Sequence, residues 1–402
     1  MAFFHRFAPG VLSNQLAGEL DLSATQLGTL SSLYFYAYGL LQVPVGVFAD
    51  RYGVRFITTL GMIILTAGSL LFGLAESLAV IYIARLLMGI GSAAFFVSTL
   101  RTISTWFPLD RFTTLLGWTS LMGNMGALLA ATPFSLLLMV IDWRSSYYLF
   151  TVVGAMVAFM LWQVVRDRPE DIGMEPDFDT TPPPQTLRGI VSGLGRVISS
   201  WQFWSYFVIS VVMLGSSMSL SGLWLVPYMT HVYEFSRNAA SSLVMFMTGG
   251  MMLGSALLGT MEKRMKSRVK MMRISILLTM LIWLYIIVPA GGRPPARLLF
   301  ALLFIMGFIR MFILTSFTNI EKLFPDLKGS AKGVMNISPF LGTIIFNGLI
   351  GWRLDATWAG EMINGSRRYT QTGYAQAFGL IMILTVLALV LSFTLTRQKE
   401  SE

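Results

Sequence analysis

The chain has 402 residues, 55% of them apolar and 12% charged, with no cysteine and a formal net charge of +9. A soluble chain of this length would carry about 25% charged residues, so half that share and a mean hydropathy of +0.67 exclude a soluble globular protein and a disordered one. The lack of cysteine excludes disulfides, thiol redox chemistry and cysteine-ligated metal centres.

A bilayer span needs about 20 apolar residues, and the sequence divides into twelve such runs. They fall at 1–20, 26–48, 56–74, 78–105, 113–138, 144–163, 203–228, 239–260, 272–289, 298–320, 333–352 and 374–396. Helices are the default, because an open sheet would leave backbone groups unpaired in lipid. The alternation of barrel strands is absent. The first run starts at Met1 and reaches His5 and Arg6 at once, which predicts a first helix short of its cytoplasmic half. A cleaved leader does not fit, since Asn14, Gln15 and Glu19 interrupt the apolar core. The one long polar stretch, 164–200, holds Arg166-Asp167-Arg168-Pro169-Glu170-Asp171 and Pro182-Pro183-Pro184 and reads as a linker. The prediction is an all-α membrane protein with twelve transmembrane helices: a six-helix bundle over 1–163, a cytoplasmic linker over 164–200 and a second bundle over 201–402.

Of the 29 Lys and Arg, eighteen fall on the side that holds both ends and the linker, and seven on the other. Four lie inside spans: Arg6, Arg85, Arg101 and Arg310. The basic side is predicted to be cytoplasmic, with both termini inside. The net charge is then topological and implies no nucleic-acid partner.

The halves repeat at an offset of 213 to 218. Gly46-x3-Asp50-Arg51-x3-Arg55 aligns with Gly259-x3-Lys263-Arg264-x3-Arg268, and Trp106-Phe107-Pro108 with Leu323-Phe324-Pro325. Two similar six-helix halves form a pseudo-symmetric pair seen in transporters. Gly46-Val-Phe-Ala-Asp50-Arg51-Tyr-Gly53-Val-Arg55 resembles the loop between helices two and three of the major facilitator superfamily. Arg85-Leu-Leu-Met-Gly89-Ile-Gly91 is similar to that family's fourth-helix motif, and Gly117, Gly123, Gly126 and Pro133 loosely to its fifth helix. The opening His5-Arg6-Phe7-Ala8-Pro9-Gly10 is similar to bacterial branches that move amino acids, peptides or organic anions. The resemblance implies a secondary transporter of the bacterial inner membrane that works by alternating access, as symporter or antiporter.

Asp50, Arg51 and Arg55, flanked by Gly46 and Gly53, read as a gating latch on a short cytoplasmic loop, its contact differing between inward- and outward-open states. All twenty acids fall in loops or at span ends, so the charges inside spans are cationic. Arg310 lies about thirteen residues, roughly 20 Å, into its span, with no acid within a turn. Its planar fork suits a carboxylate or phosphate. Arg6 is a second candidate for an anion, Arg85 a structural or coupling residue and His5 a candidate for a coupling proton. Tyr34, Tyr38 and Gln42, at i, i+4 and i+8, share one helical face and are candidates to line a solute cavity. Asn336, Asn347, Trp224 and Tyr228 are weaker candidates. Ser23-x-x-Gln26 reads as a capping box without functional content. Neither a cofactor, a metal nor a catalytic residue is expected. The expected partners are a small solute with a negative group, the lipid bilayer and a proton, acting on a monomer. Rival readings are an amino-acid or dipeptide carrier, a lipid flippase and a transport-dead sensor.

Overall fold

The structure is a computed structural model that describes residues 1–174, 195–363 and 365–395; the Asp50 side chain lies outside the described part. It is helical nearly throughout. Its first seven helices are α1 (Ala2–Leu20), α2 (Ala24–Tyr52), α3 (Val54–Gly73), α4 (Leu78–Trp106), α5 (Leu109–Leu129), α6 (Thr132–Leu137) and α7 (Trp143–Val164). Beyond the linker come α8 (Trp201–Ser210), α9 (Ser216–Ser219) and α10 (Leu225–Val232), joined without interruption by two π-helical turns, Val211–Gly215 and Leu220–Trp224. They are followed by α11 (Arg237–Met265), α12 (Arg268–Ile287), α13 (Ala296–Arg310), α14 (Thr315–Leu323), α15 (Lys328–Met335), α16 (Ser338–Ala356) and α17 (Gln371–Phe393). A two-residue hairpin, β1 (Met362–Ile363) and β2 (Ser366–Arg367), precedes α17.

Among the described residues, ten helical stretches are long and apolar enough to cross a membrane. α1 and α2 are not among them. Both carry polar groups along an otherwise apolar helix: His5, Arg6, Asn14, Gln15 and Glu19 in α1, and Gln42, Asp50 and Arg51 in α2.

The chain gathers into two compact units. One comprises Met1–Leu12 and Leu30–Gln185, the other Ser13–Thr29 and Thr186–Glu402. In the first, α3 packs on α4 and α7. Small residues set these distances: Gly61 faces Gly91, and a Cβ on Gly154 would strike Thr66. In the second, α11 packs on α13, where Gly250, Gly254 and Gly307 lie directly against the facing backbone. A Cβ on Gly307 would strike the Met247 carbonyl. Gly307→Ala is therefore expected to lower the melting temperature of the purified protein, at about 1–3 kcal/mol for forced overpacking. Gly348→Ala in α16, where a Cβ meets nothing within 4 Å, serves as the neutral control.

Local signals fix the helix starts. Ser200, Ser236, Ser267 and Thr370 accept from the backbone N–H of Phe203, Ala239, Lys270 and Gly373. Asp142 accepts from Ser145 at 2.6 Å, and the two Ser145 donors hold its carboxyl below the usual carboxylate range.

The structure corrects two sequence expectations. Asp50 and Arg51 belong to the last turn of α2, and Arg55 to the first turn of α3, so only Gly53 forms the turn between them. The fifth run breaks at Ala130-Ala131, just before Pro133. A Cβ on Gly117 would meet nothing within 4 Å among the described residues. His231 lies in the last turn of α10, its Nδ1 3.0 Å from the Tyr374 hydroxyl.

Candidate functional site

In the first unit the sequence candidates Arg6, Tyr34 and Tyr38 come together. The Arg6 guanidinium carbon lies 4.6 Å from the Phe3 ring centroid, 4.7 Å from Tyr38 and 5.9 Å from both Tyr34 and Phe35. Tyr34 and Tyr38 stack with centroids 6.1 Å apart and planes 9° apart, as their i, i+4 spacing requires. Such an aromatic box suits a desolvated cation. The Tyr34 hydroxyl donates to the Ala2 carbonyl at 3.0 Å. Gln42, farther along the same helix, has its side-chain nitrogen buried without a hydrogen bond.

Arg85 is fully buried and does a backbone task. Pro9 has no N–H, so it leaves the His5 carbonyl of α1 without its helical donor. Arg85 Nη1 donates to that carbonyl at 2.6 Å, and its Nε to the Leu30 carbonyl at 3.2 Å. Gly89, one turn on, rests against the Tyr34 carbonyl, which sets α4 close to α2. The His5 ring is fully buried too. Its Nε2 lies 3.0 Å from Ser69 Oγ, and its neighbours are Phe4, Tyr147 and Phe150. Neither Ser69 nor Tyr147 carried a sequence signal.

The latch residues also find partners in the first unit. Gly53 has φ +84°, and the Asp167 carboxylate occupies the space a side chain there would need. Asp167 accepts from the Arg55 backbone N–H at 2.9 Å, capping α3 from the far end of α7. The Arg55 Nε donates to the Trp162 carbonyl at 2.8 Å, with its guanidinium 4.2 Å from the Trp162 ring centroid. Arg51 is exposed beside Tyr52. Gly46 packs on Val97 of α4.

In the second unit the start of α2 is held by an acid 331 residues away. Asp355, at the end of α16, accepts from Ala24 N–H at 3.0 Å and Thr25 N–H at 2.8 Å. The Tyr369 hydroxyl accepts from Ala24 N–H and donates to Asp355, both at 2.8 Å. Burial and the Asp355 charge push that hydroxyl above its ordinary pKa, so it stays a donor. Ser23 and Gln26 close the capping box. Gly28 sits against the Asn347 carbonyl and Gly351 against that of Ala24. Asp355→Ala is expected to speed hydrogen exchange of the Ala24 and Thr25 amides about tenfold, since a hydrogen bond to a charge is worth about 1.5–3 kcal/mol.

Arg310 is the last residue of α13, before the 3-10 turn Met311–Leu314. It is 0% exposed, and none of its three guanidinium nitrogens has a hydrogen-bond partner among the described residues. Its neighbour Ile309 has its carbonyl taken by Ser275 Oγ at 2.7 Å. The same unit buries other groups without partners: Ser217 Oγ, Trp224 Nε1, Thr279 Oγ1, Trp283 Nε1, Asn319 Nδ2 and Asn347 Nδ2. Each of these can donate. Among the described residues no Asp or Glu is buried. Asn336 ends α15, with its backbone N–H on the Lys332 carbonyl, and is part exposed.

A family model described as Major Facilitator Superfamily matches residues 1–347. The chain belongs to that superfamily. Membership and the apolar helices make it an integral, multi-pass membrane protein. This superfamily member resembles the uncharacterized transporter YybO of Bacillus subtilis (strain 168), at 27% identity over 161 residues, 40% of this chain and 37% of that one. It is 26% identical over 166 residues to the "Probable L-galactonate transporter" of Escherichia coli (strain K12), 41% of this chain and 37% of that protein. The matched stretches thus span well under half the length of these relatives. The fold is similar to that of a bacterial homologue of the human lysosomal transporter Spinster, with TM-score 0.73 at 18% identity, covering 98% of this chain and 93% of that one.

Proposed function

We propose that this chain is a secondary active transporter that carries a small anionic organic solute across the membrane by alternating access. The observation that carries this reading is Arg310: a fully buried guanidinium without a partner among the described residues. A buried charge is tolerated when it is paired, and a solute carboxylate supplies two acceptor oxygens in the geometry of the fork. A sugar acid carries such a carboxylate and fits the fork. The relative that moves L-galactonate, by its name, is consistent with that class.

In this reading the chain has twelve transmembrane helices in two six-helix bundles, 1–163 and 201–402, with both termini and the 164–200 linker in the cytoplasm of a bacterial cell. Arg6, within its aromatic box of Tyr34 and Tyr38, is the anion-binding cation of the first bundle, with Gln42 along the same face. Asp50 and Arg51 act in gating. An amino acid or dipeptide would bring an ammonium that needs an acid, and no buried Asp or Glu among the described residues offers one.

Counterflow in proteoliposomes tests the reading. Vesicles loaded with unlabelled galactonate are expected to accumulate labelled galactonate, whereas dialanine-loaded vesicles are not expected to accumulate labelled dialanine. Exchange of the dipeptide alone would overturn the anion assignment.

A further inference from the structure

In the first unit α3 and α7 pack together and leave an open groove of about 520 Å³. Ala155 and Ala158 of α7 line it with methyl groups only. Its rims are Phe56, Leu60 and Ile63 of α3 and Phe159 and Trp162 of α7, all exposed. Five large apolar side chains suit hydrocarbon rather than a water-filled vestibule, and both helices are long and apolar enough to cross a membrane. On α3 the lining runs from Phe56 to Thr66, about 15 Å at the helical rise. That is half of a hydrocarbon core of about 30 Å, the depth of one leaflet.

One end of the groove is cationic. Arg55, in the first turn of α3, lies 4.2 Å from the centroid of the Trp162 rim and gives its Nε to the Trp162 carbonyl at 2.8 Å. The hydrogens on its two Nη atoms have no acceptor among the described residues. Arg51 lies 5.4 Å from the Tyr52 ring centroid, and Tyr52 packs on the Phe56 rim with centroids 6.1 Å apart. Arg51 has no hydrogen bond or ion pair to a described residue. Other charges here are engaged. Asp167 accepts from the Arg55 backbone N–H at 2.9 Å, and Asp171 from those of Asp167 and Arg168 at 3.2 and 3.0 Å. Arg166 Nη1 turns back to the Gln163 and Val165 carbonyls at 2.7 and 3.0 Å. Arg168 and Glu170, both exposed, carry opposite charges. Trp and Tyr mark the headgroup level of a bilayer, and basic pockets between spans bind anionic headgroups. A trough one leaflet deep that ends at two unpaired guanidiniums asks for a chain with a phosphate at its head.

We propose that the α3–α7 groove is a binding site for an anionic phospholipid of the phosphatidylglycerol kind. One acyl chain lies between the rims, the phosphate sits on Arg55, and Arg51 adds a second positive charge at the headgroup. Phosphatidylcholine is disfavoured, because its choline cation meets the same two arginines. The site uses neither Arg310 nor the solute and stands on the membrane-spanning fold alone.

Native mass spectrometry of the purified full-length protein, titrated with phosphatidylglycerol or phosphatidylcholine, decides the matter, with melting temperature in lipid-free detergent as the folding control. The unchanged protein is expected to hold a first phosphatidylglycerol more tightly than later ones and more tightly than phosphatidylcholine. Arg55→Gln should weaken that first binding about fivefold, the share of one cation near a charged surface. Arg51→Gln, at an exposed position, should act in the same direction and reads the headgroup even where Arg55→Gln fails to fold. Ala155→Trp, also at an exposed position, fills the trough and should weaken the same binding. Arg237→Gln, which removes an equal charge at the start of α11, should change nothing. Equal retention of the two lipids, or a first phosphatidylglycerol indifferent to the arginine variants and to Ala155→Trp, means a general lipid coat and overturns the site. Loss with the arginine variants but not with Ala155→Trp overturns the seat of the acyl chain. Loss with Ala155→Trp alone overturns the headgroup assignment.

Discussion

Arg310→Met is expected to abolish solute uptake while raising the melting temperature of the purified protein. The two effects have one cause. A charged group 0% exposed and without a partner is a burden on the folded state, and exchange of buried charge for a well-packed apolar side chain is commonly neutral or stabilising by about 1–4 kcal/mol. The bound solute lifts the burden by bringing two acceptors. Each charge-assisted bond is worth about 1.5–3 kcal/mol, and about 1.4 kcal/mol is a factor of ten, so loss of the fork lowers solute affinity about 100-fold or more. Arg310→Lys keeps the charge and loses the fork, and should fall between the two. Uptake and affinity like those of the unchanged protein in Arg310→Met would remove the central argument.

Arg85→Met, by contrast, is expected to destabilise the fold by about 3 kcal/mol, the range for breaking a buried charged contact. Here the guanidinium is engaged: it serves the carbonyls of His5 and Leu30. The test is a double-mutant cycle with Pro9→Ala. Alanine at position 9 restores the N–H that Pro9 lacks and gives the His5 carbonyl a donor within α1. The double variant should therefore melt above the value that the two single variants predict by addition. Strict additivity would show that Arg85 does not act through that carbonyl. Two arginines of equal burial thus have opposite expected effects on stability, and the difference lies wholly in what surrounds them.

Much of the fold was legible in hydropathy. The apolar runs fall within a few residues of the helices, because lipid punishes polar residues wherever they sit mid-span. The ends were read less well. Asp50 and Arg51 read as a loop by charge, yet both lie in the last turn of α2, where the Arg51 side chain is exposed. The Tyr34 and Tyr38 face followed from helical spacing alone. Its pairing with Arg6 did not, because that depends on how α1 lies on α2. Asp167 beside Gly53 and Asp355 on the start of α2 were invisible for the same reason: both are caps supplied from far along the chain, and no local pattern announces them. Arg310 could be singled out by its lone position in an apolar run. That none of its nitrogens is bonded emerges only from the three-dimensional packing.

The helical stretch Trp201–Val232 carries the two π-helical turns, Val211–Gly215 and Leu220–Trp224. Each stores one surplus residue relative to α pitch, so the span holds built-in slack. If one turn tightened, everything after it would screw by about 100° and slide about 1.5 Å along the axis. Trp224 and Tyr228 would swing to new bearings with no peptide group left unpaired for longer than the switch itself, which lets a single rod re-aim its side chains without melting.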